Sequence, residues 1–142
     1  MKNINIYTLL VLSLAAVYVA FGLPKIFGIS SVEELIRAGF PFFNKAIIGL
    51  LGVGEVIIGI GLVYKQTRTL AAFAVIFHLL GTFSALLLNF NYFFSAKTVF
   101  TLEGEFVFKN IVFIALAIYI ISVEKNFKSV RFLNKSTPTQ NK

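Results

Sequence analysis

Ala46-Ile-Ile-Gly-Leu-Leu-Gly-Val-Gly-Glu-Val-Ile-Ile-Gly-Ile-Gly-Leu-Val-Tyr64 is a run of 19 residues with one charge, Glu55, in its middle. At about 1.5 Å per residue, a helix of this length crosses a hydrocarbon layer of ~30 Å. A carboxylate at mid-membrane depth costs roughly 2.5–3.5 kcal/mol on insertion scales. It therefore calls for a buried partner, a proton or a function.

The next apolar run supplies a partner. Leu70 to Leu88 is also 19 residues long, and its one ionisable group is His78, the sole histidine of the chain. The basic tetrapeptide Lys65-Gln66-Thr67-Arg68 joins the two runs. In an antiparallel helical hairpin, residues equidistant from the middle of the link lie at equal depth. Glu55 precedes that middle, between Gln66 and Thr67, by as much as His78 follows it. The spacing thus predicts both groups near the midplane.

Helical phase, at about 100° per residue, sharpens this. Gly52, Glu55 and Gly59 share one face of the first run. On the second, Ala71, Ala74, His78, Gly81, Thr82 and Ala85 share a face, with Phe73, Ile76, Leu80, Phe83 and Leu87 opposite. Small residues mark close approach between membrane helices, and bulky apolar ones suit lipid. The expectation is that the small-residue faces pack inward.

Composition agrees with a membrane protein. Of 142 residues, 58% are hydrophobic and 13% charged, and the mean hydropathy is +0.87, well beyond ordinary soluble domains. The length fits one domain. With no cysteine in the chain, disulfide exchange, thiolate catalysis and thiolate-bound metal are excluded.

Two further runs complete four expected spans, at about residues 6–23, 46–64, 70–88 and 106–123. For the first, a signal peptide is the competing reading. The run is longer than a usual signal core, and no clear small-x-small cleavage site follows it. Ala15, Tyr18, Gly22 and Lys25 fall on one of its faces, and Pro24 marks its end or a kink. Between the first two spans, Ser30-Ser31-Val32-Glu33-Glu34 reads as a helix start. It predicts a short interfacial helix over Ser31 to Ala38, stopped by Gly39 and followed by the aromatic Phe40-Pro41-Phe42-Phe43. Tyr92, Phe93 and Phe94 in the connector from Asn89 to Glu105 read as interfacial aromatics. In the fourth span, Lys109 is placed to snorkel and Asn110 to hydrogen-bond inside the bundle. Residues 124–142 read as a basic tail, disordered at its end.

Charge placement sets the orientation. Four spans put both termini on one side, with eight basic residues against Glu124, while the other side carries five against four acids. The positive-inside rule makes the first side cytoplasmic. The net charge of +7 is then a topology signal and a contact for anionic lipid, not a nucleic-acid footprint. The fold class expected is an all-α integral-membrane four-helix bundle with both termini cytoplasmic.

Glu55 and His78 are the leading site candidates. An imidazole and a carboxylate in a dry site exchange a proton near neutral pH. This suits a proton relay, a quinone head group or another polar ligand, and equally a buried polar pair that only fixes helix register. Tyr18, Lys25 and Asn110, with Lys109, form a candidate polar vestibule above Glu55. Ordinary snorkelling lysines and a helix–helix hydrogen bond are the plainer reading of those groups. One histidine, and no methionine but Met1, exclude bis-histidine haem, and two candidate ligands at one depth are too few for zinc. No phosphate loop or hydrolase elbow appears.

The order of short motifs carries a resemblance. Gly22-Leu23-Pro24-Lys25 ends the first span, and Ala38-Gly39-Phe40-Pro41 precedes the second. Gly52-Val53-Gly54-Glu55-Val56-Ile57-Ile58-Gly59 is followed by Thr67-Arg68-Thr69-Leu70-Ala71-Ala72, and Lys109-Asn110 opens the fourth. This set, across residues 6 to about 123, resembles the DoxX-like family of small four-helix bacterial membrane proteins. The resemblance implies a non-catalytic accessory or membrane-anchor subunit of a redox enzyme, with a quinone as ligand, although most members have no established activity. His78 is not part of what it implies. A small proton-coupled transporter and a structural, lipid-interacting protein are the competing functions.

Overall fold

The computed structural model describes residues 5–95, 97 and 99–136, and of 127–136 the backbone alone. The elements are α1 (Ile6–Ile26), α2 (Glu33–Gly39), α3 (Lys45–Val63), α4 (Arg68–Leu88), α5 (Phe90–Phe93), β1 (Phe94–Ser95), β2 (Val99–Phe100), α6 (Leu102–Phe108) and α7 (Asn110–Ser136). Among the described residues four helical stretches are long and apolar enough to cross a membrane: Ile6–Ile26, Lys45–Val63, Arg68–Leu88 and Leu102–Asn126. The molecule is a helical bundle of the multi-pass membrane type.

Side-chain caps start three of the helices by satisfying first-turn amides. Asn5 accepts from Tyr7 N, Asn44 from Ile47 N, and Thr101 from Gly104 N. Pro24 lies inside the last turn of α1, which runs on to Ile26. The short helix after α1 begins later than its sequence suggests. Its N-cap is Val32, with no side-chain cap bond, because the Ser30 hydroxyl instead meets the Val32 amide within the turn. The fourth span starts earlier than expected, at Leu102, and is interrupted at Lys109 between α6 and α7. Helix α7 continues past Val123 to Ser136, through the stretch read as the start of a polar tail. The disorder expected at the end of that tail covers 136–142; Ser136 is instead the last residue of α7, and 137–142 lie outside the described residues.

Helices α1 and α3 form the most intimate pair. The faces Ala15-Tyr18-Gly22-Lys25 and Gly52-Glu55-Gly59 are buried as their spacing predicts, and they meet each other. A Cβ built on Gly22 would lie 2.6 Å from the Gly52 carbonyl oxygen, and one on Gly52 2.6 Å from the Gly22 oxygen. Glycine at the crossing is what lets the backbones touch.

Helix α4 departs from its reading. Its buried line is Ala71, Ala72, Val75, Leu79, Ala85 and Leu86, rotated by roughly 60° from the expected small-residue face. Gly81 is exposed and has nothing within 4 Å of where its Cβ would stand. On the face expected to meet lipid, Phe73, Leu80 and Leu87 are exposed, whereas Ile76 and Phe83 are half-buried against the two core clusters. The cause is volume. Val75 and Leu79 join Val11, Leu14, Leu62, Ala117 and Ile120 in the main core, and these larger apolar side chains fill the contact with α1 and α7.

The end of the bundle that carries α2 has a smaller core of Ala85, Leu86, Phe93 and Val107. Phe93 is fully buried there, not interfacial. Its carbonyl sits against Gly104, where a Cβ would collide with it. Strands β1 and β2 pair antiparallel over this core. Gly39 of α2 abuts Ala85 of α4, and Asn89 Nδ2 donates to the Ala38 carbonyl at 3.0 Å. The short helix is thus docked on the bundle.

Candidate functional site

Close approach at Gly22 and Gly52 brings Lys25, one turn further along α1, over the middle of α3. Its Nζ donates to both carboxylate oxygens of Glu55, at 2.5 and 2.6 Å. Lys25 is 6% exposed and Glu55 4%. The lysine is therefore not snorkelling, as its place at a helix end suggests; it is folded inward as the main counter-charge. A buried charge needs such a partner, because removing one member of a buried pair leaves an uncompensated ion.

From α4, His78 Nε2 lies 3.2 Å from Glu55 Oε1, so the groups matched in depth by spacing do meet. The carboxylate only accepts, which assigns the imidazole hydrogen to Nε2. On the other side of the ring Nδ1 lies 3.1 Å from the Tyr18 hydroxyl, whose oxygen is also 3.4 Å from the Val75 carbonyl. Tyr18, His78, Glu55 and Lys25 form one continuous hydrogen-bonded chain across α1, α3 and α4.

Asn110 is buried too, and its Nδ2 lies 3.4 Å from Thr82 Oγ1, a long contact joining α7 to α4. It does not touch the chain but shares a cavity with it. That cavity, of about 90 Å³, is lined among others by Tyr18, Lys25, Glu55, His78, Thr82, Lys109 and Asn110. Lys109 stands at its mouth, exposed, with Nζ 3.8 Å from the Phe106 ring centroid, a cation–π distance. A larger groove of about 520 Å³ lies beside it between α3 and α4, roofed by Leu35, Ile36, Phe40 and Phe43. Half-buried Gly54 and Ala74 and exposed Gly81 form part of its wall, and exposed Leu50 and Phe77 stand among its lining residues. Glu55, His78 and Thr82 line both spaces. Among the described residues no three of His, Cys, Asp and Glu come together as a metal site would require.

A second polar cluster was not read from the sequence. At the opposite end of the bundle Glu124, 2% exposed, accepts from the Tyr7 hydroxyl at 2.7 Å and from Arg68 Nη1 at 2.9 Å. Arg68 also donates to the Leu62 and Val63 carbonyls, at 2.8 and 2.9 Å, and so caps α3. One signal was available: Glu124 is the lone acid on the side that carries eight bases.

Fold and site together define a multi-pass helical bundle with a buried ionic chain at the end of an apolar groove. No protein-family model matches the chain, and no curated protein or solved structure does either.

Proposed function

We propose that this protein is a DoxX-like subunit of a bacterial inner-membrane redox system that binds a quinone. The observation that carries the reading is the groove between α3 and α4. Its lining is apolar except where it ends on Glu55, His78 and Thr82. A quinone has the matching division, an isoprenoid tail for the apolar wall and a polar head group for the end, where His78 and Thr82 would donate to its carbonyl oxygens by exchanging their present contacts with Glu55 and the Leu79 carbonyl. Sites for lipophilic ligands have this form, mostly apolar with a few placed polar groups. Electron transfer belongs to a partner enzyme in this reading, and the present chain supplies binding, orientation and a protonatable contact.

The test is a thermal-stability cycle in nanodiscs with and without a short-tail ubiquinone. Quinone should raise the unfolding temperature of the native chain, and Glu55→Gln and His78→Gln should each abolish that rise. Without ligand the double variant should lose less stability than the two singles together, since groups in contact are not additive. A coupled pair with no response to ubiquinone or to a menaquinone analogue would sink the quinone reading.

A further inference from the structure

The two spaces that meet at Glu55 and His78 differ in chemistry. Outside their shared wall, the groove is lined only by apolar residues and glycines, such as Ile47, Leu50, Gly54, Ile58 and Phe77. The cavity adds Tyr18, Lys25, Lys109 and Asn110, set among apolar residues such as Val17, Phe21, Phe106 and Phe113. Its volume of about 90 Å³ exceeds several-fold the roughly 10–15 Å³ that one water needs, and it offers the polar partners that hold water. Its exposed lining residues are Lys109 and Phe21, on the α2 side of the bundle. Val11, Leu14, Leu62, Ala72, Val75, Ala117 and Ile120 close the half toward Arg68 with apolar packing, and Tyr7, Arg68 and Glu124 tie its end shut.

We infer that the site is divided into a water-filled cavity open at Lys109 and a dry groove open to lipid, so that Glu55 and His78 exchange protons with the aqueous phase on the α2 side alone. The ligand then comes from one medium and the proton from another. His78 is the joint between them. Its Nε2 faces the carboxylate and its Nδ1 faces Tyr18, both in the cavity wall. This deepens the reading of the same site as a quinone site, but it is tested with no quinone present.

The chain has no cysteine, so single thiols can be introduced without background. Val17→Cys and Phe113→Cys place a thiol in the cavity and not the groove. Gly81→Cys and Ala74→Cys place one in the groove and not the cavity. Each variant is exposed to a charged methanethiosulfonate in intact cells and in inside-out vesicles, with a lipophilic maleimide as the second reagent. Glu34→Cys and Lys65→Cys mark the two membrane faces. The charged reagent should modify positions 17 and 113 only from the Glu34 side, and positions 74 and 81 from neither side. The maleimide should modify 74 and 81. Charged labelling at 81 to the same extent as at 17 would show one continuous aqueous space and overturn the division. Labelling of 17 or 113 from the Lys65 side would overturn the one-sidedness. If both cavity thiols resist the charged reagent in folded protein yet react after denaturation, the cavity is dry and the inference fails. Loss of quinone binding with this pattern intact would sink the quinone reading alone.

Discussion

At the scale of single residues, the buried ion pair of Lys25 and Glu55 is the feature on which the site depends. Both side chains are withdrawn from solvent, and the carboxylate has both oxygens committed to the ammonium. Replacing Lys25 by Met keeps the length of the stem and removes the charge. Breaking a buried pair from one side is destabilising by about 3–5 kcal/mol, and His78 is then the contact left to the carboxylate. Lys25→Met should lower stability by that order in an SDS-titration unfolding assay. Adding Glu55→Leu should recover most of the loss, since no lone charge then remains. A loss of only ~0–1 kcal/mol, the range of an exposed pair, would mean that Lys25 reaches water. The depth match of Glu55 and His78 was legible because a tight hairpin imposes it. The partnership of Lys25 was not, because a lysine at a helix end satisfies itself equally by snorkelling. What decides between the two is the crossing distance of α1 and α3, a tertiary quantity.

At the scale of helices, the same small residues do two opposite things. On α3, Gly52 and Gly59 receive α1: Cβ atoms built there would lie 2.6 Å from the Gly22 oxygen and 2.8 Å from Val19 Cγ2. On α4, Gly81 receives nothing and opens the groove. Sequence spacing separates the small from the bulky side of each helix, but it cannot say whether a small side is filled by a neighbouring backbone or left vacant. That is why the α1 and α3 faces are legible and the α4 face only in part: Ala71 and Ala85 are buried and Phe73, Leu80 and Leu87 exposed as expected, but Gly81 is not packed. The burial of Phe93 escaped for a related reason, since an aromatic in a connector looks interfacial until Gly104 is folded over it. Overpacking typically costs about 1–3 kcal/mol. Gly52→Leu should therefore destabilise by at least that much, with no open space on its side of α3. Gly81→Leu should leave the unfolding temperature nearly unchanged while filling the groove and weakening ubiquinone binding. Equal destabilisation by the two substitutions would show that α4 also uses Gly81 as a contact.

At the scale of the whole molecule, the bundle is solid at one end and hollow at the other, and the charge distribution follows the same axis. The solid end carries the Lys65–Arg68 link, with Arg68 drawn in by Glu124 and by the last carbonyls of α3. The hollow end carries α2, the β1–β2 hairpin and acids that nearly balance the bases, so that Glu33, for example, is already engaged by Arg37 at 2.8 Å. Lysine and arginine excess near span ends holds a segment on the cytoplasmic side, and by that rule the solid end would be the cytoplasmic one. The cavity would then face outward. Single Lys65→Cys and Glu34→Cys variants test this with an impermeant thiol reagent. In intact cells Glu34→Cys should label and Lys65→Cys should not, and in inside-out vesicles the order should reverse. Both sites are solvent-exposed on the bundle, so absence of labelling reports the membrane and not burial. Should Lys65→Cys label in intact cells, the orientation is inverted. The cavity would then open to the cytoplasm, and a proton exchanged at Glu55 and His78 would be drawn from the opposite phase.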